Sequence, residues 1–289
     1  MHIKTKDFLV QEEVKIDLKQ WPTAVKSLCK SKEEYKHALA ERVEATRMQE
    51  SLLYANSRHA LLVIFQAMDA AGKDSAIKHL MSGINPQGCQ VHSFKQPSAE
   101  ELRHDFLWRT TSCVPERGQI GIFNRSYYEE LLVVKVHPEL LQHQGIESEA
   151  VKAKGFWQQR YRSIVEFERH LHANGTRILK FFLHVSKEEQ RQRFLQRIDD
   201  PAKNWKFSLA DIEERKFWKD YRQAYEQCLA ATSTKDAPWF IVPADRKEDA
   251  WLIMSEIILK TLQELKMSYP QVDEARLEEL ARIRKLLAE

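Results

Sequence analysis

The stretch FQAMDAAGKDSAIKHL, beginning at Phe65, holds the residues with the plainest chemistry in the chain. It nearly spells a phosphate-binding loop, G-x-x-x-x-G-K-[ST], but Ala67 stands at the first glycine position, Asp74 follows Lys73, and Ser75 comes one place late. It follows an apolar run directly and opens a helical pattern, so its backbone N–H groups sit at a helix start, where the dipole favours an anion. Gly72 is one of only 8 glycines in 289 residues. With Ala70 and Ala71 it lets the backbone approach a phosphate closely, and Lys73 adds a cation. Asp74 cannot replace the hydroxyl that usually holds Mg²⁺, a task Ser75 takes over only in part. Asp69 is a carboxylate among phosphates. It either acts through a metal ion or orients the acceptor. The competing reading is an ordinary strand-to-helix turn with Lys73 and Asp74 in solvent.

A second group lies in GIFNRSYYEELLVV, whose apolar run ends at Phe123 and delivers Asn124, Arg125, Ser126, Tyr127, Tyr128 and Glu129. In doubly wound sheets ligands sit outside the carboxyl ends of the strands, so Arg125 would face the same crevice as Lys73 and hold charge on a transferring phosphoryl group. A surface arginine paired with Glu130 is the bland alternative. A third group runs from Arg191 to Lys206 and carries five cations (Arg191, Arg193, Arg197, Lys203, Lys206) against Asp199 and Asp200. Arg193 and Arg197 are four apart on one helix face, Pro201 breaks that helix, and the basic turn around Trp205 suits a lid closing on phosphates. A solvated charged face is the alternative. Lys95, ending another apolar run, reaches toward a phosphate chain, and RHDFLWR offers Arg103, Asp105 and Arg109 on a helix spanning Ala99 to Arg109.

Elements that place these residues are legible as period and run length. ALLVIFQA (Ala60 to Ala67), CQVHSF, QIGIFN, RILKFFLHV and PWFIVPA are short continuous apolar runs, the mark of strands buried on both faces. Helical patterns alternate with them, including 151–175 as one helix ending at Gly175, so the fold is a three-layer α/β domain around a parallel sheet. Before the first strand, KSKEEYKHALAERVEATRMQESLLYAN reads as an amphipathic helix, with Leu39, Val43, Leu52 and Leu53 on its apolar side. The tail after Pro270 spaces Leu277, Leu280, Ile283 and Leu287 on one stripe, which either packs on its own domain or forms a subunit contact. Lys plus Arg number 45 against 42 acids, a net charge of +3, which gives no argument for nucleic acid or membrane partners. The N-terminus lacks a signal-peptide run, no stretch approaches the roughly 20 apolar residues of a membrane span, and four scattered cysteines (Cys29, Cys89, Cys113, Cys228) read as reduced. The expected compartment is the cytoplasm.

Taken together, AMDAAGKDSAIKHLMSGINPQGCQVHSFKQPS, DFLWR, FNRSYYEELLVVKVHPE and RFLQRIDDPAKNWKFSLAD resemble the polyphosphate kinase 2 family, from about Lys26 to the fifth strand. The resemblance implies a P-loop kinase fold similar to thymidylate kinases, with a helical lid. Along the chain it suggests an N-terminal helical extension (about 1–57), a lid (about 187–215) and a C-terminal helix (about 271–289). It implies reversible, Mg²⁺-dependent transfer of a phosphoryl group from inorganic polyphosphate to AMP and ADP, giving ADP and ATP. Residue by residue, Asp69 and Lys73 become the loop's catalytic pair and Arg125 the working residue of the second motif. Ala70, Ala71, Gly72, Asp74, Ser75 and Lys95 would line the phosphates, and Arg193, Arg197, Lys203 and Lys206 would belong to the lid. Many members carry Asp where this chain has Asn124, so Asp69 and Glu129 are the expected Mg²⁺ carboxylates. NRSYYEE is similar to the subgroup accepting both nucleoside mono- and diphosphates.

The acceptor phosphate is already anionic, so alignment and charge neutralisation suffice and no strong general base is required. Two other readings compete. An ATP-dependent nucleoside monophosphate kinase fits the fold but not Asp74, and a non-enzymatic scaffold would not need Lys73. Tyr127, Tyr128 and Trp205 are the aromatic candidates for holding a base. The terminal helices make a homo-oligomer the expected assembly.

Overall fold

The computed structural model describes residues 3–288, apart from the side chain of Lys206. The five apolar runs form β1 (Ala60–Ala67), β2 (Cys89–Ser93), β3 (Ile120–Asn124), β4 (Thr176–His184) and β5 (Trp239–Pro243). All four pairings are parallel and the order is β2-β3-β1-β4-β5. β1 is therefore central; from it the chain jumps to the edge strand β2, returns inward to β3 beside β1, and then crosses to β4 and β5 on the other side. The crevice at the carboxyl ends of β3, β1 and β4 is where such a sheet places its ligands.

Helices cover both faces. In chain order they are α1 (Lys32–Asn56), α2 (Lys73–Leu80), α3 (Trp108–Thr111), α4 (Val133–Val136), α5 (Ser148–Lys152) and α6 (Phe156–Ala173). They continue with α7 (Lys187–Asp199), α8 (Leu209–Lys216), α9 (Trp218–Thr232), α10 (Lys247–Glu264) and α11 (Glu274–Ala288). Along β1, Leu61, Val63 and Phe65 point into a core shared with α2 and α10, while Leu62 and Ile64 point into a second core shared with α6 and α9. Burial on both faces explains why β1 reads as an unbroken apolar run instead of an alternating one.

Several expected helices are shorter. Residues 99–109 give only a 3-10 turn (Glu101–Arg103) and the short α3, because Asp105 Oδ1 accepts the N–H of Leu107 at 2.9 Å and turns the chain. The helix expected over 151–175 is split at Gly155, whose φ of 97° is left-handed. The N-terminal segment is helical only from α1 onward. Before it, apart from a 3-10 turn at Thr5–Phe8, the chain is an irregular series of turns and bends, bridging Leu9 to Phe240 and burying Val10, Ile16 and Leu18. The buried row of α1 is also more polar than its pattern suggested: Ala38, Arg42, Thr46, Glu50 and Leu53, with Arg42 Nε 3.0 Å from Glu256. On α11 no residue is buried. All four cysteines are free, and burial raises the Cys89 and Cys228 thiols to about 11 and about 12, so they stay protonated.

One polar knot interrupts the second core. Lys180, in the middle of β4 and fully buried, donates to Glu168 Oε2 (2.6 Å), Tyr128 Oη (2.9 Å) and the Thr232 carbonyl (2.7 Å). Glu168 Oε1 in turn accepts the hydroxyls of Tyr127 and Tyr128, both at 2.9 Å. Burial raises the Glu168 carboxyl and lowers the Lys180 ammonium, while each favours the other's charge. Removing one partner strands the other in a dry interior. Lys180→Met should therefore cost about 3–5 kcal/mol in urea unfolding. Tyr127→Phe, which leaves Glu168 two other donors, should cost about 1–2 kcal/mol. Equal costs would mean that the ionic pair is not the anchor of the knot.

Candidate functional site

The loop from Met68 to Gly72 leaves β1 and enters α2. Two residues take the left-handed region, Ala70 (φ 59°) and Gly72 (φ 104°). At Gly72 any side chain would be strained, and an added Cβ would meet Ser75 Oγ at 3.3 Å. The Ser75 hydroxyl donates to the Gly72 carbonyl at 2.8 Å, which stiffens the first turn of α2. The Ala71 N–H closes a turn onto the Met68 carbonyl (3.3 Å), and the first intrahelical bond is Ala76 N–H to Gly72 O (3.0 Å), so the amides between them lie at a helix N-terminus without an intrahelical partner.

The loop's carbonyls point the other way and are held by side chains. Lys73 Nζ donates to Ala67 O (3.1 Å), and Gln190 Nε2 to Asp69 O (2.9 Å). Arg193 Nη1 donates to Ala70 O (3.1 Å) and Ala71 O (2.6 Å), while its Nη2 reaches Ala244 O (2.6 Å) and Asp245 O (3.2 Å) just beyond β5. Its Nε bonds Glu189 Oε1 at 2.8 Å. Arg193 is 5% exposed, so it does not face the lid surface with Arg197. The two arginines do share a face of α7, as expected, but carbonyl acceptors on the loop and after β5 capture the guanidinium of Arg193 and separate it from the lid cations. Arg197 lies half-buried against the Phe194 ring, and Lys203 pairs with Asp200. Lys206 sits in a 3-10 turn, and its side chain lies outside what is described.

Arg125 leaves β3 at a φ of 63°, an uncommon conformation for a non-glycine residue, with its N–H bonded to Phe65 O at 3.0 Å. That geometry sends the guanidinium between two carboxylates: Nη2 lies 3.1 Å from Asp69 Oδ1 and Nη1 lies 3.4 Å from Glu129 Oε2. Glu129 raises the Arg125 pKa further, and burial opposes it. Glu129 itself is pushed up by burial, with Arg125 and Lys73 pulling it back. Burial and the Arg125 charge push the Lys73 ammonium down, and Asp69 opposes them. Two cations and two carboxylates thus share one partly dry crevice. Glu130 takes no part in it. That carboxylate pairs with Arg160 at 2.9 Å, so the bland surface pairing with Arg125 does not form.

Asn124 Nδ2 donates to Asp74 Oδ1 at 2.8 Å. An aspartate at 124 would set two carboxylates at that distance, which gives asparagine here a local reason. Ser126 is buried and caps the following 3-10 turn by accepting the Tyr128 N–H (3.1 Å). Tyr127 and Tyr128 are buried in the knot with Glu168 and Lys180, so neither is placed to hold a base. Trp205 is 74% exposed. Lys95 is exposed, and its carbonyl accepts from Arg109 at 2.8 Å. His104 stacks on the Trp108 ring, with centroids 4.0 Å apart.

The aromatic surface at the site comes from α9, which the sequence reading passed over. A cavity of about 160 Å³ lies between Asp69, Arg125, Glu129 and a wall of Trp218, Tyr221 and Tyr225. Those three are spaced i, i+3 and i+7, one helix face, and that spacing was the available signal. A second cavity of about 380 Å³, lined by Trp21, His184 and Lys187 among others, adjoins it at Met68 and Trp218. α8 closes over the first cavity. Arg215 Nη1 donates to Gln190 Oε1 (2.7 Å) and Lys187 O (2.9 Å), and Glu214 meets His137 Nε2 (3.1 Å) and the Tyr221 hydroxyl (2.7 Å). Among the described residues no group of three or more His, Cys, Asp or Glu is placed to hold a metal ion alone. The carboxylates of Asp69 and Glu129 do fit an ion that takes one or two carboxylates and completes its shell with phosphates and water.

The chain is 60% identical over 287 residues to an ADP-polyphosphate phosphotransferase of Rhodopseudomonas palustris, covering 99% of both chains. It is 43% identical over 271 residues to an AMP/ADP-polyphosphate phosphotransferase of Meiothermus ruber, covering 93% of this chain and 97% of that one. The crystal structure of polyphosphate kinase 2 from Arthrobacter aurescens superposes with a TM-score of 0.83 at 33% identity, covering 94% of this chain and 97% of the other. The model of the polyphosphate kinase 2 family matches residues 29–270, so the chain belongs to that family, and its fold is the family's parallel α/β fold.

Proposed function

We propose that this protein is a polyphosphate kinase that moves a phosphoryl group between inorganic polyphosphate and adenine nucleotides, accepting both AMP and ADP and yielding ADP and ATP. The observation that carries the reading is the convergence of Lys73 and Arg125 on one crevice, above a loop whose carbonyls are tied back and whose amides open outward. That surface offers two cations and outward amides at the loop and strand ends, and with the carboxylates of Asp69 and Glu129 neutralised by a divalent ion it would suit a chain of phosphates. It offers no histidine base, and the reaction needs none. An oxygen of the acceptor phosphate bonds to the terminal phosphorus of polyphosphate, the bridging P–O bond breaks, and the shortened polyphosphate leaves with that electron pair. Arg125 neutralises charge on the transferring group, and Lys73 aligns it. Asp69 and Glu129 would hold Mg²⁺, which when bound supplies charge neutralisation between donor and acceptor oxygens.

The segment from about 187 to 215 acts as a lid, with Arg197, Lys203 and Lys206 as its cations and Arg193 as the fixed post behind it. The acceptor's base rests on the Trp218–Tyr221 wall. Among the described residues no helix is long and apolar enough to cross a membrane, and a cytoplasmic location belongs to this proposal.

The deciding experiment incubates protein and Mg²⁺ with AMP or ADP, and with polyphosphate or ATP as donor. ATP formed from AMP and polyphosphate is the expected result. Formation from ADP alone would remove AMP from the acceptor range, and transfer only from ATP would mean a conventional nucleotide kinase. Lys73→Ala and Arg125→Ala should each lower kcat by about three orders of magnitude with an unchanged circular dichroism spectrum. A variant keeping wild-type turnover would lose its assigned role. Glu129→Gln should shift the Mg²⁺ titration to higher concentration, and a superimposable titration would exclude Glu129 from the ion's shell.

A further inference from the structure

The helix α8 lies over the first cavity, and what fastens it there is narrow. Arg215 ties it to Lys187 O and Gln190 Oε1, both on α7, so those bonds stay inside the segment 187–215. Among the described residues, the side-chain hydrogen bonds that leave α8 for the rest of the fold both end on one atom, Oε2 of Glu214. That oxygen accepts the Tyr221 hydroxyl from α9 at 2.7 Å and meets His137 Nε2 at 3.1 Å. A carboxylate only accepts, so Nε2 carries the proton there. Burial and the bond to Glu214 push the Tyr221 hydroxyl far up, so it stays a donor. The His137 ring stands nearly perpendicular to Phe217, with centroids 4.8 Å apart, and Phe217 is the corner between α8 and α9. Local sequence sets that ring in place. The His137 N–H ends α4 on Val133 O at 2.9 Å, and Pro138 keeps His137 out of the helical region, at φ −120° and ψ 70°.

We propose that His137 and Glu214 are positioning residues for the nucleotide: meeting at Oε2 of Glu214, they fix the Tyr221 ring and hold α8 in the arrangement that receives a nucleoside mono- or diphosphate. This rests on the reading that the acceptor's base lies against the Trp218–Tyr221 wall. The pair acts through Tyr221 and α8. It sets the fraction of molecules in which wall and cover are ready, and apparent affinity scales with that fraction. The cations of α7 have a separate anchor in Arg193, whose bonds to the loop and to the chain after β5 do not pass through Glu214. Polyphosphate should therefore not feel the loss of the latch.

The test is steady-state kinetics of the full-length protein with ADP and polyphosphate, each varied against a saturating level of the other. His137→Ala and Glu214→Ala should each raise KM for ADP about tenfold, with kcat and the KM for polyphosphate within about twofold of wild type. Because the two act as one unit, the double variant should lie within about twofold of either single one. Glu214→Gln keeps an oxygen with two lone pairs, able to accept both bonds, and should hold KM for ADP within about threefold of wild type. Tyr221→Phe keeps the ring but loses the bond, and should resemble Glu214→Ala. A fall in kcat with KM for ADP unchanged would overturn the proposal. So would multiplying single effects, a wild-type KM in Tyr221→Phe, or a Glu214→Gln variant as impaired as Glu214→Ala. Tyr221→Ala separates the latch from the wall. If it leaves KM for ADP unchanged, the base does not rest there and both readings fall; if it raises KM while His137→Ala does not, the latch alone falls.

Discussion

The guanidinium of Arg193 is the fixed point from which the site is built. Five N–H donors in a rigid plane meet four carbonyl oxygens and one carboxylate. Two of those carbonyls belong to the phosphate loop and two to the chain just after β5, so one side chain from α7 ties the central strand's loop to the sheet's edge. A loop carbonyl held from behind forces the intervening amides to the front. The anion-binding character of the loop is therefore a consequence of what grips its back, as much as of the glycine that opens its front. Lysine could not do this, since a single ammonium cannot span both pairs.

The crevice in front balances itself in a comparable way. Arg125 carries a backbone conformation that non-glycine residues seldom adopt, and in return its side chain lies between Asp69 and Glu129. Without an anionic substrate the carboxylates occupy the cation that phosphates would otherwise claim. In the proposed reaction, a polyanion arriving with its own counter-ion would offer both sides better partners: the arginine would gain phosphate oxygens and the carboxylates a divalent ion. The resting arrangement thus keeps four charges soluble in a half-dry space without fixing any of them permanently.

What the sequence made legible follows from how local each cause is. Strands buried on both faces must be apolar throughout, so β1 to β5 appear as runs. The loop at Ala67 to Ser75 combines a glycine, a lysine and a strand-to-helix junction within nine residues. The inner sides of the same motifs were opaque. Arg193 and Arg197 look equivalent at a spacing of four, and only the distant carbonyls of Ala244 and Asp245 distinguish them. Tyr127 and Tyr128 follow the Arg125–Ser126 pair and look like ligand contacts, yet Glu168 on α6 and Lys180 on β4 draw both inward. The α9 aromatics become part of the site only because the chain returns past the carboxyl end of β1, a tertiary fact with no local signature beyond their common face.

The hydrogen bond between Asn124 and Asp74 links the carboxyl end of β3 to the first turn of α2, 50 residues apart in sequence. It constrains history as well as geometry. A lineage moving from asparagine to aspartate at 124 while Asp74 remains must pass through a form with two facing carboxylates, whereas losing the acid at 74 first opens an easier route. Substitutions at the two positions should therefore have become fixed in a preferred order, with the loop changing before the strand.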